Sequence, residues 1–123
     1  MLINGVEFEV DLLDADEAER IEQIFDAASA EFCSRREELD ALSASQSIRE
    51  QCGIIFKAFD KILGDGAHEK IFGARTNLET CLDTFGQFVF DLHNSRVEKI
   101  NAMTDRWDKM IAPLKENHDE PAV

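Results

Sequence analysis

Hydrophobic and polar residues alternate at the start of the chain, and the period then changes. Apolar residues at positions 6, 8, 10 and 12 are separated by acidic residues at 7, 9 and 11, which is typical of a strand with one buried face. The dipeptide Asn4-Gly5 precedes them, and it favours the positive φ angles of a tight hairpin turn. We therefore predict a β-hairpin over residues 1–12.

Two long helices are predicted next, because apolar residues recur at steps of three and four. The first covers 14–42, with Asp14 as its N-terminal cap, and its apolar spacing is interrupted at Arg35. The second covers 47–63, with Ser47 as its cap. Glycines follow the second helix directly and are expected to end it.

A short helix over 67–72 and a third long helix over 77–112 complete the pattern. The long helix has Thr76 as its predicted cap, and its apolar stripe changes phase about half-way along. Pro113 is expected to end it, and residues 113–123 are expected to form a disordered tail. At about 1.5 Å per residue the helix is much longer than its neighbours, so its second half should project beyond them.

These elements predict a mainly α fold, in which an N-terminal β-hairpin is followed by a three-helix bundle with a long C-terminal helix. A chain of 123 residues suits one domain, predicted here over residues 1–112. Cys33, Cys52 and Cys81 lie on or beside apolar helical faces, so we expect reduced thiols in the core.

Charge is strongly acidic and unevenly distributed. The chain has 26 acidic and 13 basic residues, and residues 1–42 alone hold thirteen acids against three bases. Glu19, Glu22 and Asp26 represent this acidic surface, which argues against direct binding to nucleic acid phosphates. The N-terminus does not resemble a signal peptide, and apolar runs are too short for a membrane span, so we expect a cytoplasmic protein.

Candidate chemistry is sparse. His68, His93 and His118 are far apart and lack partners at metal-site spacing, and His93 is expected within the apolar side of its helix. Gly64-Asp65-Gly66 lacks the other residues of a phosphate-binding loop. We predict no catalytic, cofactor-binding or metal-binding residues, and therefore not an enzyme.

The long helix has more apolar positions than one narrow seam needs. Such residues either pack within the bundle or form a stripe that receives a partner helix or another copy of this chain, which would make a homo-oligomer. The candidate residues for partner binding, with Met103 and Trp107 first among them, are Phe88, Phe90, Met103, Trp107, Met110 and Ile111.

Four segments carry a family resemblance: residues 1–8, 14–17, 48–56 and 70–78, which read MLINGVEF, DADE, IREQCGIIF and KIFGARTNL. They resemble a family of small, functionally uncharacterised proteins of siphophages and prophages of Gram-positive bacteria, encoded in the tail gene cluster. The similarity extends to about residue 95. Many members end in a basic tail, whereas this chain ends in the acidic ENHDEPAV.

The resemblance implies a tail assembly chaperone, which coats the helical tape measure protein and recruits tail tube subunits in the host bacterial cytoplasm. An acidic mimic of DNA that binds a basic host defence protein is the alternative, and a structural tail component is a third reading. The mimic would use residues 7–40, whereas the chaperone would use apolar positions of the long helix.

Overall fold

A computed structural model describes residues 1–118, and it confirms a mainly helical fold with an N-terminal hairpin and a long C-terminal helix. The strands and helices, in chain order, are β1 (Leu2–Ile3), β2 (Val6–Glu7), α1 (Ala15–Ser34), α2 (Arg36–Ala41), α3 (Ala44–Leu63), α4 (Ala67–Phe72) and α5 (Leu78–His118).

The hairpin forms at the predicted turn but is shorter than predicted. Asn4 and Gly5 both have positive φ angles, 51° and 81°. Val6 and Glu7 pair with β1, and Phe8 exchanges backbone hydrogen bonds of 2.9 and 2.8 Å with Met1, so the pairing does not reach residues 9–12. The predicted strand over 6–12 is therefore wrong, although its alternation does describe burial: the acidic residues are exposed, and Leu12 is buried.

The hairpin is held against the helices, which an isolated two-stranded hairpin needs for stability. The Asn4 side-chain amide donates a hydrogen bond of 2.8 Å to the backbone carbonyl of Ile71, in α4. Ile3 is buried and belongs to the main core cluster together with Ile71. The hairpin thus covers part of the helical core.

The first predicted helix is divided at Arg35 into α1 and α2. Asp14 caps α1 as predicted, accepting a hydrogen bond of 2.9 Å from the backbone N–H of Glu17. Arg35 leaves helical geometry (φ −100°, ψ 7°), and its guanidinium bonds carboxylates on both sides of the break and on α3. The break lets Leu39, which follows a gap in the apolar spacing, reach the core.

Two predicted caps are wrong by a few residues. Ser43, not Ser47, caps α3 and accepts a hydrogen bond from the backbone N–H of Gln46 at 3.3 Å. Ser43 and Gln46 have the same spacing as a capping box, and no Gly or Pro separates them from the rest of the helix. At α5 the cap is Asn77 rather than Thr76, since its Oδ1 accepts from the backbone N–H of residue 80 at 3.0 Å.

Helix α3 lies at the centre of the fold, between α1, α4 and α5. Arg20, near the start of α1, donates to the carbonyl of Ile62 near the end of α3 (2.9 Å), whereas Arg35 pairs with Glu50 near its start (3.1 Å). Helices α1 and α3 are therefore antiparallel. The short helix α4 has the predicted bounds and adds Phe72 to the core.

Aromatic rings fill the space between these helices. Phe59 of α3 contacts rings from α4 and α5, with centroid distances of 5.3 to 5.7 Å. Phe25 of α1 meets Phe85 edge-on at 5.4 Å. Cys52 and Cys81 are buried as predicted, but Cys33 is exposed on α1, so the expectation of a core thiol there is wrong.

Helix α5 is longer than predicted and continues through Pro113 to His118. Proline removes one backbone hydrogen bond, to the carbonyl four residues earlier, at Lys109. That residue is exposed, so water can replace the missing donor. The predicted end at residue 112 and the disordered tail from 113 are thus wrong as far as His118, and residues 119–123 lie outside the described part of the chain.

Candidate partner-binding surface

The first part of α5 packs on the bundle and the second part does not. We call residues 1–96 the head and residues 97–114 of α5 the arm. Phe88 and Leu92 are buried in the head, at 1% and 4% exposure. Within the arm every side chain is exposed except Ile111, which is half-buried.

The join between head and arm lies beside the start of α1. There the Arg96 guanidinium donates a hydrogen bond of 2.8 Å from its Nε to the backbone carbonyl of Leu12. Leu12 is buried in the main core, so this bond ties the base of the arm to the head. The arm then extends for 18 residues, about 27 Å at 1.5 Å per residue.

Five of the six large exposed apolar residues of the arm, all except Val97, form one line. They follow each other at steps of three and four, which is the spacing of a coiled-coil seam. We call this line the apolar stripe; its members are Ile100, Met103, Trp107, Met110 and Leu114. Their exposed fractions are large, reaching 60% at Trp107 and 71% at Met110. A row of such side chains on one face is the form of a helix that receives a partner helix.

The six predicted partner-binding residues separate into three groups. Met103, Trp107 and Met110 lie in the apolar stripe, and Ile111 lies at its edge. Phe88 does not belong to any free surface, because its ring is enclosed by Phe25, Phe59 and the rest of the core, and its assignment is wrong. Phe90 is 60% exposed but lies on the head, before the arm begins.

Two members of the stripe were absent from the predicted set. Ile100 belongs to the apolar pattern of the second half of the predicted helix. It precedes Trp107 by seven residues, so the two have the same position in a heptad. Leu114 follows Pro113, so it lay outside the predicted helix, which ended before the proline. The same step of seven from Trp107 to Leu114 is the signal that would have included it.

The arm differs from the head in charge. The arm contains three acidic and three basic residues, so its net charge is zero, whereas the head contains twenty acids and nine bases, a net charge of −11. The arm can therefore approach another protein surface without the general repulsion that the head imposes on acidic partners.

His68 and Asp60 form a partly buried polar pair with a structural role in the head. His68 Nδ1 lies 2.7 Å from an Asp60 carboxylate oxygen, the same carboxylate accepts from the His68 backbone N–H, and the ring stacks on Phe56. These contacts join α3 to α4. His93 is exposed on α5, so its expected place within the apolar side of the helix is wrong.

The buried Cys81 thiol is a poor nucleophile. Burial, with a smaller contribution from the neighbouring Cys52 thiol, raises the pKa of Cys81 to about 12. A thiol with so high a pKa is protonated at neutral pH, and the thiolate is the reactive form. Among the described residues, no group of three or more His, Cys, Asp or Glu side chains is placed to hold a metal ion.

A shallow groove of about 270 Å³ lies between α1 and α3. Its floor includes the small side chains of Ala28 and Ala58, and its rim includes Arg20 and Lys57. Arg20 and Lys57 are engaged: Arg20 with Glu17, whose pKa it lowers through their hydrogen bond, and Lys57 with a carboxylate oxygen of α1 at 3.3 Å, whereas Lys61 also lines the groove. The groove therefore offers an apolar floor but no free cation from these two residues.

One family model matches almost the entire chain, over residues 4–119. The chain belongs to the family of unknown function DUF6673. No curated protein and no solved structure matches it. The match includes both the head and the arm.

The acidic surface of this DUF6673 chain lies on α1. Glu19, Glu22 and Asp26 are all exposed, and their spacing of three and four places them along one face. In α2, the Glu38 carboxylate beside Arg35 has its pKa lowered by their hydrogen bond. Among the described helices, none combines the length and the apolar character that a membrane crossing requires.

Proposed function

We propose that this protein is a chaperone-like partner of a helical client, which it binds through the apolar stripe of the arm. The observation that carries the proposal is the exposure of five apolar side chains at coiled-coil spacing on a helix segment whose side chains, apart from Ile111, are all exposed. A second helix would bury these side chains and remove apolar surface from water.

The setting we propose is tail assembly in a phage or prophage, with the tape measure protein as the client. The resemblance of four segments of the chain to proteins of tail gene clusters supports this setting. The charge distribution agrees with it, because an acidic head keeps a complex with an aggregation-prone helix soluble. Such a protein acts in the bacterial cytoplasm and carries out no catalysis.

The alternative is an acidic mimic of DNA, and the exposed line of carboxylates on α1 favours it as the second candidate. This function would place the contact on the head, at Glu19, Glu22 and Asp26. The two proposals therefore predict different sensitive surfaces on the same molecule.

The deciding experiment co-expresses the chain with the tape measure protein of its own gene cluster and measures the soluble complex. Met103→Asp with Trp107→Asp should abolish the complex, because two charges would enter the apolar contact. The control, Glu19→Lys with Glu22→Lys and Asp26→Lys, should leave it intact.

The opposite pattern, in which the control variant alone loses its partner and that partner is a basic host protein, would favour the mimic. Retention of the complex by both variants would contradict both proposals. Recovery of the chain as a stoichiometric part of purified tails would identify a structural component instead.

A further inference from the structure

Two basic residues lie along one edge of the apolar stripe. Lys99 immediately precedes Ile100, and Arg106 immediately precedes Trp107, so each lies about 100° around the helix from a stripe residue. The two are seven residues apart and therefore share one edge of the arm. Both are exposed. We call Lys99 and Arg106 the basic edge.

The basic edge has no acidic partner within its own helix. The positions three and four residues before and after Lys99 and Arg106, where helical ion pairs form, hold no Asp or Glu. All the ion pairs found among the described residues lie in the head. Head residues such as Arg20, Arg35 and Lys57 are paired with carboxylates, in contrast to the basic edge.

The other edge of the stripe has a different character. Thr104 and Ile111 lie four residues after Ile100 and Trp107, so they flank the stripe on the side opposite the basic edge. Glu98 and Asp105 lie on the back of the arm, away from the stripe. A helix laid along the stripe thus meets two cations on one side and an uncharged edge on the other.

A second copy of the chain does not satisfy this arrangement. In an antiparallel pair, equivalent edges of the two helices face each other, so Lys99 and Arg106 would meet the same cations of the other copy. In a parallel pair, they would face Thr104 and Ile111, and two heads of charge −11 would stand side by side. Either arrangement leaves the basic edge without opposite charge.

We propose that the arm's partner is an amphipathic helix whose apolar seam is flanked by carboxylates at seven-residue spacing, which pair with Lys99 and Arg106. This inference rests on the proposed function, since it specifies the client of the same surface. The ion pairs select the client and fix its register on the arm, whereas the stripe provides most of the buried area.

The test uses the full-length protein and two designed helical peptides without Trp. Both carry the same apolar heptad seam, and the flanking positions are Glu in one peptide and Lys in the other. Trp107 is the single tryptophan of the chain and lies in the stripe, so its fluorescence reports binding directly. Affinities are measured at low salt and at about 1 M salt, where charge interactions are largely screened.

The measured quantity is the ratio of the affinity for the Glu peptide to the affinity for the Lys peptide. We expect this ratio to be at least about tenfold higher for the native protein than for the variant Lys99→Glu with Arg106→Glu. The control Lys70→Glu with Arg75→Glu changes the net charge equally, but on exposed positions of the head. It should not change the ratio of the two affinities. At high salt the ratio should approach one.

The outcomes separate this inference from the function on which it rests. If both peptides bind and the basic-edge variant changes the ratio no more than the control does, the inference is wrong and helix binding stands. If neither peptide binds, both are wrong. Concentration-dependent dimers that disappear with Met103→Asp and Trp107→Asp, and that exclude the peptides, would show that a second copy occupies the stripe.

Discussion

At the scale of single residues, one phenylalanine connects most of the core. Phe59 is fully buried on the central helix, and its ring contacts Phe72, Phe85 and Phe88. Aromatic pairs in edge-on or tilted contact add a favourable interaction to the burial of their area. Loss of this side chain would leave a cavity bordered by three helices.

Phe59→Ala should therefore lower the free energy of unfolding by about 3–5 kcal/mol, measured by urea denaturation followed by circular dichroism. Phe90→Ala is the matched control, because that ring is 60% exposed, and its change should stay within about 0.5 kcal/mol. Equal effects of the two substitutions would contradict the described core.

Two phenylalanines of α5 show how far the sequence predicts the candidate binding surface. Phe88 and Phe90 are two positions apart on one helix, and apolar spacing alone does not tell which of them faces the bundle. The direction depends on the packing of Phe25 and Phe59 against α5, which is a tertiary contact. The exposure of Trp107 and Met103 was predictable because the long helix was expected to extend beyond its neighbours.

At the scale of elements, the number and order of helices were predictable but several ends were not. The predicted caps at Asp14 and Ser47 rest on the same reasoning, and only the first is correct. Ser43 and Ser47 each have Gln or Glu three residues later, so the sequence pattern allows either serine to cap α3. The break at Arg35 is set by ion pairs that include Glu50 of another helix, which no local pattern contains.

Ser43→Ala should lower the free energy of unfolding by about 0.5–2 kcal/mol, because the first turn of α3 loses an acceptor for a backbone N–H. Ser47→Ala, within the first turns of the same helix, should have a smaller effect, since its hydroxyl only accepts from the Gln51 side chain. Thermal unfolding of the two variants side by side measures the difference. A larger loss for Ser47→Ala would place the start of α3 where the sequence pattern suggested.

At the scale of the whole molecule, stability and the candidate binding surface are carried by different parts. Among residues 1–114, whose burial is described, the buried hydrophobic residues all lie between Ile3 and Leu92, and the arm contributes none. The bond from Arg96 to Leu12 lies just before the arm, in which every side chain except that of Ile111 is exposed. Folding should therefore be a property of the head alone.

A chain that ends at Lys99 should unfold with the same free energy as the full-length protein, within about 0.5 kcal/mol, because no packing is removed. Its helical signal should fall in proportion to the residues lost. Urea titrations of both chains provide the comparison, and the full-length protein with Phe59→Ala serves as the destabilised reference. A loss as large as that of the reference would mean that the arm packs on the head.

The hydrogen bond at the base of the arm thus lies between the residues that stabilise the fold and those of the candidate binding surface. Under the proposed function, replacements in the arm should change which client is recognised and leave the free energy of unfolding nearly unchanged. Such an architecture would allow recognition to diverge rapidly while the head stays the same.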